Sequence, residues 1–155
     1  MTSTTKHASA GNAEHPAHEA ELSFWWKYVF ATDHKVIGIQ YGLTALCFLL
    51  FGYGLMALMR WQLAYPGQPI PVIGQLLLKV LGPDMADRGI MTPDLYNSFG
   101  AMHGTIMVFL AIVPLAFGAF GNYIVPLQIG APDMSFPRIN MASYWCYFYG
   151  GVVML

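Results

Sequence analysis

One histidine, His103, sits inside a long apolar run, and three polar residues follow it at wide spacing: Asn122, Asp133 and Asn140. The stretch that holds them, residues 94–140, reads DLYNSFGAMHGTIMVFLAIVPLAFGAFGNYIVPLQIGAPDMSFPRIN. An imidazole among apolar neighbours needs a partner, because no water is there to supply one. In a segment of membrane-spanning length such a residue marks a functional site by default. Gly100 and Gly104 flank His103 and clear room for something flat and bulky. That setting suits axial ligation of a haem iron. It also suits a histidine bonded to a carbonyl or hydroxyl of a neighbouring helix. Asn122 falls in the last turns of the apolar helix and Asn140 opens the next one. Two facing amides can hold ordered water, each donating and accepting. A carboxylate beside them supplies a fixed negative charge that gathers protons. Asp133, Asn122 and Asn140 therefore read as the start of a proton path, with an ordinary loop aspartate as the alternative for Asp133.

The elements that must carry these residues are helices in lipid. Of 155 residues 56% are hydrophobic and 10% charged, against roughly 25% charged in a soluble domain. The net charge of −1 leaves no electrostatic footprint for nucleic acid. Cys47 and Cys146 lie in apolar runs without the close Cys/His spacing a zinc site needs, and read as small apolar filler. The fold class expected is an all-α membrane protein, with spans at about 36–59, 99–125 and 141–155 and a Pro-rich connector over 61–94. The first run has about the 20 uncharged residues that a ~30 Å hydrocarbon core requires. Arg60 ends it, either snorkelling to the interface or meeting a polar edge of whatever His103 holds. If the first two spans are antiparallel, Arg60 and His103 share a leaflet. Thr32 and Asp33 are suited to cap the first span, and Phe24–Ala31 is an aromatic patch of the membrane-surface kind. Residues 72–81 are apolar but too short to cross. Pro114 should kink the second span, tolerable where neighbours satisfy the carbonyl it frees. The third segment stops at Leu155 without a polar exit, so the chain is expected to continue. Residues 1–23 read as a disordered polar tail, neither secretory signal nor transit peptide, and its His7, His15 and His18 fit no metal-site spacing. Lys27 and Lys35, close to the first span, lean towards a cytoplasmic N-terminus.

The run from Tyr96 to Trp145, with the specific string GNYIVPLQIGAPDMSFPRIN, resembles the second and third helices of subunit I of the haem–copper respiratory oxidases. DHKVIGIQYG, residues 33–42, resembles the start of its first helix. The resemblance implies helices I, II and the start of III of a larger bundle. It places His103 as an axial ligand of the low-spin haem, expected to be haem A, and Arg60 on that haem's formyl group. It places Asp133 at the mouth of a proton channel, with Asn122, Asn140 and Tyr41 lining it. The high-spin haem, copper B and the second axial histidine are expected beyond Leu155, so no catalytic residue is assigned here and the fragment alone is expected to be inactive. The implied whole is a proton-pumping cytochrome c oxidase of the bacterial inner membrane, reducing oxygen to water with subunits II and III. The alternatives are a quinol oxidase of the same superfamily and a non-catalytic two-span protein. At the positions matching the quinol site this chain has Phe51, Leu55, Leu95 and Ser98, which favours cytochrome c as donor. Gln62 stands where many members carry a cation-binding glutamate, so no ion is expected there.

Overall fold

The computed structural model describes residues 24–83 and 86–155. The tail histidines His7, His15 and His18 lie outside the described residues. A short aromatic helix α1 (Phe24–Tyr28) leads into α2 (His34–Ala64), capped by Asp33, whose carboxylate accepts from the Lys35 N–H at 3.0 Å. That cap satisfies one of the free donors of the first turn. The helix is wider than 36–59, because the cap sets its start at His34 and Trp61–Ala64 continue its end. Trp61 and Tyr65 pack there with tilted rings, centroids 4.6 Å apart. Gln40 reaches back to the carbonyls of Tyr28 and Val29 and ties α1 down.

The connector carries α3 (Ile73–Leu81) and a two-stranded hairpin, β1 (Ala86–Asp87) with β2 (Ile90–Met91). Arg88 and Gly89 both have positive φ, 52° and 83°, as a two-residue hairpin turn of matching twist requires. The Gln62 side chain accepts from the Met91 N–H at 3.3 Å and joins the hairpin to the end of α2. Ile70 donates to the Gly89 carbonyl at 3.0 Å, and a Cβ on Gly74 would lie 2.8 Å from that same oxygen.

From Pro93 one continuous helical rod runs to Ile129, six residues earlier at its start than the expected 99. It begins as α4 (Pro93–Thr105) and ends as α5 (Asn122–Ile129). Between them it widens into π turns over Ile106–Ile112 and Pro114–Gly121. The physical cause is at Pro114, which has no N–H to give the Leu110 carbonyl four residues before it. A π turn takes its donor from the fifth residue on instead, as Val113 does to the Val108 carbonyl. A second donor arrives from elsewhere: the Tyr147 hydroxyl gives its proton to the Leu110 oxygen at 2.7 Å. Tyr147 lies on α6 (Pro137–Met154), which starts four residues before the expected 141.

The rod packs antiparallel to α2. Gly38 abuts Ala119 and Tyr123, while Gly52 abuts Ile106 and Met107. Both α2 and the rod are long and apolar enough to cross a membrane. The buried side chains fall in two clusters, one around Phe48, Leu55, Met59, Phe99 and Ile106, the other around Ile37, Tyr41, Ala119 and Tyr144. Cys47 and Cys146 are free and exposed.

Candidate functional site

His103 is half-buried on α4, facing α2, and its Nδ1 lies 2.8 Å from the Gly52 carbonyl. A carbonyl only accepts, so Nδ1 carries the proton and Nε2 keeps its lone pair. Nε2 makes no hydrogen bond among the described residues. A backbone carbonyl holding one imidazole nitrogen is the usual means of fixing the tautomer and orientation of a metal-ligating histidine. The approach is possible because position 52 is glycine: a Cβ there would come within 2.9 Å of Met107 Sδ and 3.3 Å of Ile106 Cγ2. A Cβ on the next residue, Gly104, would meet nothing within 4 Å. These residues fit an axial haem ligand: a lone pair in place and a ring fixed from behind. Arg60 stands on the same side of the bundle, about 12 Å further along α2 than Gly52 at 1.5 Å per residue. It is exposed and has no hydrogen bond or ion pair among the described residues.

At the opposite end, Asp133 lies in the loop between α5 and α6. His34 is 2% exposed, and its Nδ1 meets the Asp133 carboxylate at 3.1 Å and that of Asp33 at 3.5 Å. Its Nε2 is buried without a partner. Partial desolvation pushes the Asp133 carboxyl up, but the Met134 N–H and His34 outweigh it and hold it below the usual carboxylate range. Asp133 is thus a fixed negative charge at neutral pH.

Tyr41, Asn122 and Asn140 line one cavity of about 420 Å³, together with Ser143, Tyr147 and Gly118. Asp133 does not line it. Asn122 is buried and donates through Nδ2 to the Gly118 carbonyl at 2.7 Å, which leaves its Oδ1 as an acceptor. Asn140 has a buried Nδ2 with no partner, a donor that ordered water would satisfy. The Ser143 hydroxyl gives its single proton to the Asn140 carbonyl at 2.7 Å, so the Tyr41 hydroxyl, 3.0 Å away, must be the donor to Ser143 Oγ. Tyr41, from α2, is thereby tied to α6.

The site therefore has two separated parts. His103 belongs to the connector side; His34 and Asp133 belong to the other, with the polar cavity next along α2. Sequence reasoning missed His34, Ser143 and Tyr147. The one available signal for His34 was its register: it shares the buried face of α2 with Ile37, Tyr41, Ala45 and Phe48. Ser143 stands three residues after Asn140, within reach of it on a helix. Nothing local marked Tyr147.

Residues 36–155 match the family model described as cytochrome c and quinol oxidase polypeptide I. Among curated proteins, the chain is 44% identical over 141 residues to cytochrome c oxidase subunit 1 of Thermostichus vulcanus, covering 90% of this chain and 22% of that protein. It is 40% identical over 132 residues to the alternative cytochrome c oxidase subunit 1 of Bradyrhizobium diazoefficiens, covering 85% and 19%. It is 39% identical over 134 residues to heme-copper oxidase subunit I+III of Aeropyrum pernix, covering 86% and 14%. The chain spans about a fifth or less of the length of these relatives. With the family model matched across nearly all of the described helices, the chain belongs to the cytochrome c and quinol oxidase polypeptide I family.

Proposed function

We propose that this chain is the haem-ligating and proton-admitting part of the catalytic subunit of a cytochrome c oxidase. The observation that carries the reading is the His103 imidazole, fixed through Nδ1–H to the Gly52 carbonyl, with its Nε2 lone pair free. A low-spin haem A held there would supply reversible one-electron transfer, tuned by its axial ligand and the hydrogen bond behind it. His103 ligates, Gly52 orients it, and Arg60 is assigned to the haem's polar edge. Electrons would come from cytochrome c through subunit II, with subunit III completing the complex, and pass on to a high-spin haem and copper B that reduce oxygen to water. The donor assignment is supported by the relatives' names, which say cytochrome c oxidase, and by Phe51, Leu55, Leu95 and Ser98 at the positions matching the Arg, Asp, His and Gln of a quinol site.

On the other side, Asp133 with His34 gathers protons, and the cavity of Tyr41, Asn122, Asn140 and Ser143 holds the water that carries them inward and supports pumping. The unpartnered Asn140 Nδ2 and the Tyr41–Ser143 donor chain favour ordered water there. This side is assigned to the cytoplasm of a bacterial inner membrane, which places the N-terminus there too.

The test is His103→Ala in the complete oxidase. The redox difference spectrum should lose the low-spin haem bands while the copper content of subunit II persists. Unchanged haem spectra would sink the ligand assignment.

A further inference from the structure

The wall of the polar cavity is built from three elements, and the way α6 is held to the rod is unusual. Tyr41 comes from α2, Pro114, Phe117, Gly118 and Asn122 from the rod, and Asn140, Ser143 and Tyr147 from α6. The width of the cavity is thus the separation of α6 from the rod. Yet α6 packs mainly on α2, and a single hydrogen bond joins α6 to the rod among the described residues: Tyr147 Oη to the Leu110 carbonyl, 2.7 Å. That carbonyl is the one that Pro114 cannot serve.

We propose that Tyr147 is a positioning residue for proton uptake, clamping α6 to the proline break in the rod and so setting the spacing of Asn122 and Asn140 across the water-filled cavity. Three observations meet in this side chain. Its hydroxyl bonds a carbonyl that Pro114 deprives of its α-helical donor, so the bond forms at the break in the rod's own hydrogen-bond ladder. Its ring stacks on Tyr41, centroids 5.2 Å apart and planes inclined by 22°, so the clamp also fixes the tyrosine that donates into the Ser143–Asn140 chain. It lines the cavity itself. Loss of the hydroxyl leaves the Leu110 carbonyl without that donor and frees α6 to move away from the rod. Water wires tolerate little change in the distance between their end groups, because each link must stay within hydrogen-bond reach.

This inference rests on the proton-path reading above, and the experiment separates the two. In the complete oxidase, Tyr147→Phe keeps the ring stack and removes only the hydroxyl. Haem content and the redox difference spectrum should stay as in the parent. The rate of proton uptake from the cytoplasmic side should fall about two- to tenfold, the range that one net hydrogen bond sets. The decline of turnover with rising pH should begin at lower pH, as it does when proton delivery becomes limiting. Pro114→Ala gives the rod an N–H at position 114, so Tyr147→Phe should have little further effect in a Pro114→Ala background. The double variant also covers assembly: if Tyr147→Phe alone fails to assemble, the pair should assemble.

Parent-like proton uptake and pH profile in Tyr147→Phe would overturn the clamp, provided Asp133→Asn slows uptake in the same preparation. If Asp133→Asn also leaves uptake unchanged, the proton path fails, and the clamp's role in it falls with it. An equal loss from Tyr147→Phe in the proline and alanine backgrounds would overturn the link to the proline break, as would a double variant that fails to assemble.

Discussion

Gly118 is where the packing around the polar cavity is tightest, and replacing it by alanine has a consequence that can be worked from the structure. A Cβ there would lie 2.5, 2.7 and 2.9 Å from Cδ1, Cγ and Cε1 of Tyr41. Carbon atoms settle at about 3.5–4.0 Å, so the two helices must part by about 1 Å or the ring must turn aside. The ring has nowhere to go: Tyr144 meets it edge-on at 5.2 Å, Tyr147 stacks on it at 5.2 Å, and Ser143 holds its hydroxyl. Forced overpacking of this kind costs about 1–3 kcal/mol. Removing a helix glycine returns about 0.8–1.0 kcal/mol of propensity, so a second glycine on the same rod is needed as reference. Gly121 serves, since a Cβ there meets nothing within 4 Å. The propensity gain cancels between Gly118→Ala and Gly121→Ala, leaving a difference of about 1–3 kcal/mol against Gly118→Ala. The assay is the rate of thermal inactivation of the complete oxidase in detergent, with proton uptake measured in parallel. Uptake should suffer as well, because Asn122 donates to the Gly118 carbonyl at 2.7 Å and moves with it. Equal inactivation rates for the two alanine variants would refute the close packing of the rod on Tyr41.

Two further outcomes follow from the Asp133 end. Asp133→Asn removes the fixed charge and should slow turnover and pumping roughly tenfold, about 1.4 kcal/mol of barrier, while haem content stays unchanged; normal pumping in that variant would remove Asp133 from the path. His34→Ala deletes one of the groups that hold the Asp133 carboxyl low, so its pKa should rise towards the usual carboxylate value. The sign follows from linkage: a carboxyl depressed in the folded protein stabilises above its unfolded pKa, and that contribution fades as pH falls through the lowered folded value. The variant should therefore protonate Asp133 at higher pH than the parent, seen as the carboxyl stretch in a difference infrared titration; an unshifted titration would mean that the Met134 N–H alone holds it.

The apolar runs, the lone ionisable residue within one of them and the Pro/Gly-rich connector were all legible in the sequence. Each is local: a helix that crosses lipid needs about 20 apolar residues in a row, and a charge inside one stands out by composition alone. The start of α2 was legible for the same reason, since a cap acts within three residues of Asp33. The tertiary structure alone decided the pairings. His34 meets Asp133 across 99 residues and Tyr41 meets Ser143 across 102, and such contacts depend on how helices rotate and slide against each other, which no window of sequence encodes. His103 illustrates the division. Its presence in the membrane was readable from its neighbours, but which nitrogen keeps the lone pair depended on Gly52, 51 residues away, bringing a carbonyl to within 2.8 Å. The proline at 114 likewise announced a missing donor. Only the packing of α6 could show that a tyrosine 37 residues from the Leu110 carbonyl supplies one.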